Sequence, residues 1–134
     1  MRWCFVFAAL IALTAGTSGC SSAGAASVEG KVSYGGEPID VGTITFIPTS
    51  GEGVKRGGLI EKGAYKVDAK AGPAPGSHRV EIRWAKPTGK KSKNEFGEEI
   101  ERRQEGLPEK YHAESTLTAD IKAGKNVIDF ELEK

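Results

Sequence analysis

Very little of the usual equipment of catalysis is present in these 134 residues, which contain two cysteines, two histidines and one methionine. Cys4 sits inside an amino-terminal apolar stretch and only Cys20 remains, so no disulfide framework is expected and the fold must be held by its own core. His78 and His112 show neither H-x-H nor HExxH spacing, so no metal and no other cofactor is expected. Ser77 beside His78, and Ser115 near His112, are neighbours in sequence rather than a nucleophile and its base, and no G-x-S-x-G elbow occurs. An excess of one charge is also missing. With Arg2 set aside, 18 basic side chains stand against 18 acidic ones, which excludes a polybasic surface for nucleic acid or for membrane lipid. The apolar stretch Phe5 to Leu13 falls short of the roughly 18 to 20 residues that span a bilayer. Together these absences point away from an enzyme.

What the amino-terminal segment does contain is an export pattern. Arg2, the apolar stretch and the small residues after it read as a signal peptide over residues 1–19. Two cleavage sites compete, Thr17-Ser18-Gly19-Cys20 and Ala23-Gly24-Ala25, and the short distance from Leu13 to Gly19 favours the first. Thr17-Ser18-Gly19-Cys20 resembles the lipobox of bacterial lipoproteins, with Thr17 where a large aliphatic residue is usual. The resemblance implies a lipid on the Cys20 sulfur and a further acyl chain, such as palmitate, on its amino group, and two chains anchor stably where one does not. Residues 20–27 then read as a lipidated cysteine and a flexible tether reaching at most ~25 Å. The same resemblance implies a cell-envelope address, and Ser21 after the cysteine favours the outer membrane over the inner.

From Val28 onward the pattern is that of strands, with period-two alternation broken by glycine and proline. Val28, Val32 and Tyr34 share one face, followed by a turn at Gly35-Gly36. Ile44 and Phe46 alternate with threonines until Pro48. A weaker strand spans Arg56 to Glu61, and Lys62-Gly63 reads as a tight hairpin turn into Ala64 to Asp68. His78, Val80, Ile82 and Trp84 oppose Arg79, Glu81 and Arg83. Thr116 to Lys122 and Asn126 to Leu132 close the chain. Seven short antiparallel strands, each with one apolar face, predict an all-β sandwich over 28–134. Between Trp84 and Leu107 the alternation fails, which predicts one long charged loop, with Glu98 and Glu99 four residues ahead of Arg102 and Arg103 in a solvated helical turn. Leu107 and Tyr111 are expected to dock the chain back onto the core.

Val28-Glu29-Gly30-Lys31-Val32-Ser33-Tyr34-Gly35-Gly36-Glu37-Pro38-Ile39 and the following Gly42-Thr43-Ile44-Thr45-Phe46-Ile47-Pro48 resemble the opening of carboxypeptidase-regulatory-like domains, the transthyretin-like sandwiches. Gly63 to Val67 and Pro75 to Ile82 resemble that family's next strands. Pro108-Glu109-Lys110-Tyr111 and Ser115-Thr116-Leu117-Thr118 are similar to segments of small lipoproteins built from one such domain. The resemblance implies a non-catalytic structural or protein-interaction module. A second reading is a carbohydrate-binding module, with Trp84 and Tyr111 as stacking platforms, although Trp84 continues the apolar face of Val80 and Ile82 and so reads first as a cap on the core. In the charged segment, Lys90, Lys91, Glu98 and Arg102 are the candidate contacts. Its mixed charge favours an envelope protein over nucleic acid, with a polysaccharide as the partner under the second reading. A Lys31 to Asn126 isopeptide crosslink is disfavoured because alternation puts the two side chains on opposite faces.

Overall fold

A computed structural model describes residues 26–134. The expected signal peptide, Cys20 and the expected tether as far as Ala25 lie outside the described residues. The strands are β1 (Ala26–Tyr34), β2 (Glu37–Pro38), β3 (Val41–Pro48), β4 (Arg56–Glu61), β5 (Ala64–Val67), β6 (Gly76–Lys93), β7 (Glu99–Glu105), β8 (Thr118–Ile121), β9 (Gly124–Val127) and β10 (Phe130–Leu132). One 3-10 turn, Glu109–Tyr111, interrupts them. The described chain is therefore all-β, and none of its helices is long and apolar enough to cross a membrane.

The strands form one connected sheet in the order β10-β1-β5-β4-β3-β6-β7, with β9 beside β1 and β8 beside β6. The sheet curls into a half-barrel. Tyr34 on β1 and Trp84 on β6, four places apart in the sheet, meet edge to face at 6.1 Å across its interior. Such curvature is the way a twisted sheet buries one apolar face without a second layer of helices. Val28, Val32, Ile44, Phe46, Tyr65, Val67, Val80, Ile82, Trp84, Ile121, Phe130 and Leu132 are all buried inside it, as the alternation of each strand requires. Lys62 and Gly63, both at positive φ, form the expected two-residue hairpin turn between β4 and β5.

Four expectations are corrected. There are ten strands rather than seven, because β2 and β7 were not foreseen and the last strand divides into β9 and β10. The sheet is mixed, since β1 pairs in parallel with both β9 and β10. At the division Asp129 Oδ1 accepts the Lys31 amide at 2.8 Å, and Ile128 O accepts the Tyr65 hydroxyl at 2.6 Å in place of a ladder bond. The domain starts earlier than Val28: Ala26 is fully buried and aligned with Gly124, so Ala26 and Ser27 belong to β1 and not to the tether.

The fourth correction concerns the charged segment, which is neither loop nor helical turn. β6 runs on past Trp84 to Lys93 and β7 returns against it, pairing Lys86 with Gln104 and Lys93 with Glu99. The Glu and Arg residues spaced for a helix do not pair with one another: Glu99 meets Lys91 across the hairpin, Glu98 accepts from Asn94, and Arg103 turns to Asp40 and Glu101. Strand directions place this arm. β1 rises from Ala26, β5 descends beside it, β4 rises, β3 descends and β6 rises from Gly76, so β6 leaves the half-barrel at the pole opposite Ala26.

Candidate functional site

The arm is the part of the domain that the core does not explain. At ~3.3 Å per residue, Ala85 to Lys93 extends it roughly 30 Å beyond the barrel. Such a ribbon has no core of its own, and its direction is set at the base. Trp84, only 4% exposed, donates its indole N–H to Asp40 Oδ1 at 2.6 Å. Arg103 on β7 reaches the other Asp40 oxygen at 3.5 Å and donates to Ala85 O at 2.8 Å. Glu105 Oε1 accepts the amides of Trp84 and Leu107 at 3.0 and 3.1 Å, while Arg83 lies 3.4 Å from its other oxygen. The indole bond, assisted by the Val41 amide and Arg103, holds the Asp40 carboxyl below its ordinary value despite some desolvation. Two carboxylates thus tie the arm to the barrel through a tryptophan, an arginine and backbone amides.

Halfway along, the register shifts between Pro87 and Lys91. Thr88, Gly89 and Lys90 oppose Arg102 alone, and Thr88 Oγ1 donates to Arg102 O at 2.9 Å. Such a bulge turns side chains out of their regular alternation. Lys90 and Arg102 consequently line one cleft of about 690 Å³ together with Thr88 and Gln104. At the tip Asn94 Oδ1 accepts the amides of Phe96 and Glu98, and its Nδ2 donates to Glu98 at 2.9 Å. This closed turn leaves Phe96 86% exposed.

The two faces of the arm differ chemically. One carries cross-linked charge: Lys91 meets Glu99 at 3.2 Å, Arg103 meets Glu101 at 3.6 Å, and Arg83 and Glu105 close the row. The other carries Lys86, Lys90, Ile100, Arg102 and Gln104, and among the described residues none of its three cations has a carboxylate within ion-pair distance. Lys86 instead sits over the Trp84 ring at 5.0 Å.

The sequence-derived candidates therefore separate. Lys90 and Arg102 come together at the bulge, Lys91 lies on the opposite face, and Glu98 caps the tip. Trp84 is part of the core, and Tyr111, 9% exposed, lies under Tyr34 with its hydroxyl donating to Glu133 O at 2.8 Å. Neither ring offers an open face for stacking a sugar. Cys20 lies outside the described residues. The histidines serve the fold: His78 Nδ1 is 3.0 Å from Gly76 O, His112 Nε2 is 3.2 Å from Leu107 O, and Ser115 Oγ donates to Val80 O. Among the described residues no three His, Cys, Asp or Glu side chains gather as a metal set. Lys31 is exposed, whereas Asn126 is buried and bonded to Ser27, Lys122 and Gly124.

Sequence reading missed the clamp of Asp40 and Glu105 and the exposed Phe96. The available signal was Asn94 followed by Gly97, a turn signature between two stretches of similar length. Comparison of the chain with protein-family models, curated proteins and solved structures finds no match.

Proposed function

We propose that this chain is a lipid-anchored, non-catalytic module of the cell envelope, its curled sheet a transthyretin-like sandwich that presents the arm to a protein partner. The observation that carries this reading is the arm itself, a hairpin clamped at its base and tipped by an exposed phenylalanine at the pole opposite Ala26. A chain held through Cys20 approaches the fold at Ala26, so the anchor secures one pole and the arm stands off the bilayer at the other. Asp40, Arg103 and Glu105 tie down the base of a solvated ribbon that buries no core of its own, which suits a docking element.

The test uses the full chain in intact cells, with a photo-crosslinking amino acid in place of Phe96 and, separately, of Glu52 at the opposite pole. A discrete crosslinked envelope protein from position 96 and not from position 52 supports the reading. The same product from both positions, or none from either, refutes it. In parallel, Cys20→Ser is expected to move the protein from the membrane to the soluble fraction; retention on the membrane would refute the anchor alone.

A further inference from the structure

The open edge of β7 and the unpaired cations beside it define what the arm can hold. β7 pairs only with β6 among the described residues, so its outer edge carries backbone groups with no neighbouring strand. The ladder alternates. Asn94 N bonds Glu98 O at the tip and Gly106 N bonds Trp84 O at the base, which turns the N–H and C=O groups of Glu99, Glu101, Arg103 and Glu105 toward that free edge. Side chains of Ile100, Arg102 and Gln104 line the face next to it, with Lys90 and Lys86 one strand further in. Every carboxylate of β7 is engaged on the opposite face, by Lys91, Arg103 or Arg83.

We infer that the arm takes an extended acidic segment of a partner protein, added as a strand along β7, with its carboxylates facing Arg102 and Lys90 and an apolar residue against Ile100. Strand addition supplies main-chain hydrogen bonds, and alternate side chains supply selectivity. An extended peptide adds at ~4.8 Å from β7, which puts its alternate residues beside Ile100, Arg102 and Gln104. The half-exposed Ile100 and the exposed Phe96 favour a peptide over a wholly polar polyanion, because they gain only from an apolar neighbour. Charge on this scale also guards the edge against self-association until a complementary strand arrives. The inference rests on the reading of the arm as a protein-docking element and specifies its ligand.

The experiment titrates the full chain in detergent with a fluorescein-labelled peptide of alternating glutamate and valine, read by anisotropy. Saturable binding is expected, weakened at least tenfold by the pair Lys90→Glu and Arg102→Glu. The pair Lys55→Glu and Lys70→Glu, which changes net charge equally at the other pole, is expected to leave it unaltered. Glu101→Pro removes an edge donor without touching the β6 ladder and is expected to weaken binding likewise, with circular dichroism confirming the fold of each variant. The inference is overturned by absence of saturable binding, by equal loss in the distal charge pair, by full binding in Glu101→Pro, or by equal displacement with polygalacturonate at matched charge. Discriminating peptide binding without a crosslink from position 96 in cells sinks the cellular role and leaves this surface standing. A crosslink without peptide binding sinks this surface alone.

Discussion

Trp84 Nε1 lies 2.6 Å from Asp40 Oδ1, and this contact joins the rim of the half-barrel to the arm that the strand of Trp84 becomes. Removing the carboxylate leaves a nearly buried indole N–H unpaired, which costs about 1 to 3 kcal/mol. Asp40→Ala is therefore expected to lower the urea midpoint with an unchanged slope. Amide exchange should rise at Gln104 and Gly106, whose N–H groups face β6 at the base of the arm. A loss of stability without faster exchange there would contradict the role of Asp40 at the base.

The same aspartate gives an acid response. Its folded value lies below the ordinary 3.8, chiefly because it accepts the Trp84 N–H. An unfolded chain then binds the proton more readily than the folded one, so the contribution is complete above about pH 3.8 and is lost as pH falls through the lower folded value. Melting temperature measured downward from pH 5 is expected to fall more steeply for the parent chain than for Asp40→Asn. Parallel curves would remove Asp40 from the acid response.

An alkaline counterpart is expected at Tyr65. Burial, with a smaller contribution from Asp129, pushes its phenol well above the ordinary 10.0. The raised value contributes stability that is complete below pH 10 and is lost as pH rises through the folded value. Absorbance titration at 295 nm should show a late phase that disappears in Tyr65→Phe. A titration unchanged by that substitution would place the phenol in solvent.

Gly30 tests the crossing of β1 with the last two strands. A β-carbon there would collide with Ile128 O, a backbone atom with little room to move. Gly30→Ala is expected to cost about 1 to 3 kcal/mol, the usual range for overpacking, although alanine is the smallest possible change. A neutral result would mean that β9 and β10 do not lie against β1 as described.

Asn126 fastens the pole at Ala26. Its Oδ1 accepts the Lys122 amide at 2.9 Å, and its Nδ2 faces the carbonyls of Lys122, Ser27 and Gly124 at 2.8, 3.1 and 3.4 Å. Asn126→Ala should cost about 2 to 3 kcal/mol in chemical denaturation, since a buried amide and its partners lose one another. Asn126→Asp should cost more, because a carboxylate would face carbonyl oxygens. The reverse order would show that Nδ2 is not the group that matters.

The core was legible and the arm was not, for one physical reason. Val80, Ile82 and Trp84 alternate with charges because one side of β6 meets the core; past Trp84 neither side does, so the alternation that betrays a strand vanishes while the strand continues. Glu99 to Glu105 is uniformly exposed and reads as polar throughout. Parallel pairing of β1 with β9 and β10 leaves no mark either, because apolar alternation fixes which face is buried and not which strand lies alongside. Alternation does not place Lys90 beside Arg102 on one face; the bulge at Thr88 to Lys90 brings them together. Nothing in the sequence around Asp40 signals the indole N–H that its carboxylate accepts.

Because β6 is one unbroken strand from Gly76 in the barrel to Lys93 in the arm, tension applied at the tip passes straight into the body of the fold. The chain leaves at Ala26 on the far pole, so a pull between the two ends drags β6 and β1 in opposite senses along their own axes. Inter-strand bonds lie across that direction and are sheared together instead of being unzipped in turn, the geometry in which a small sheet best withstands being stretched.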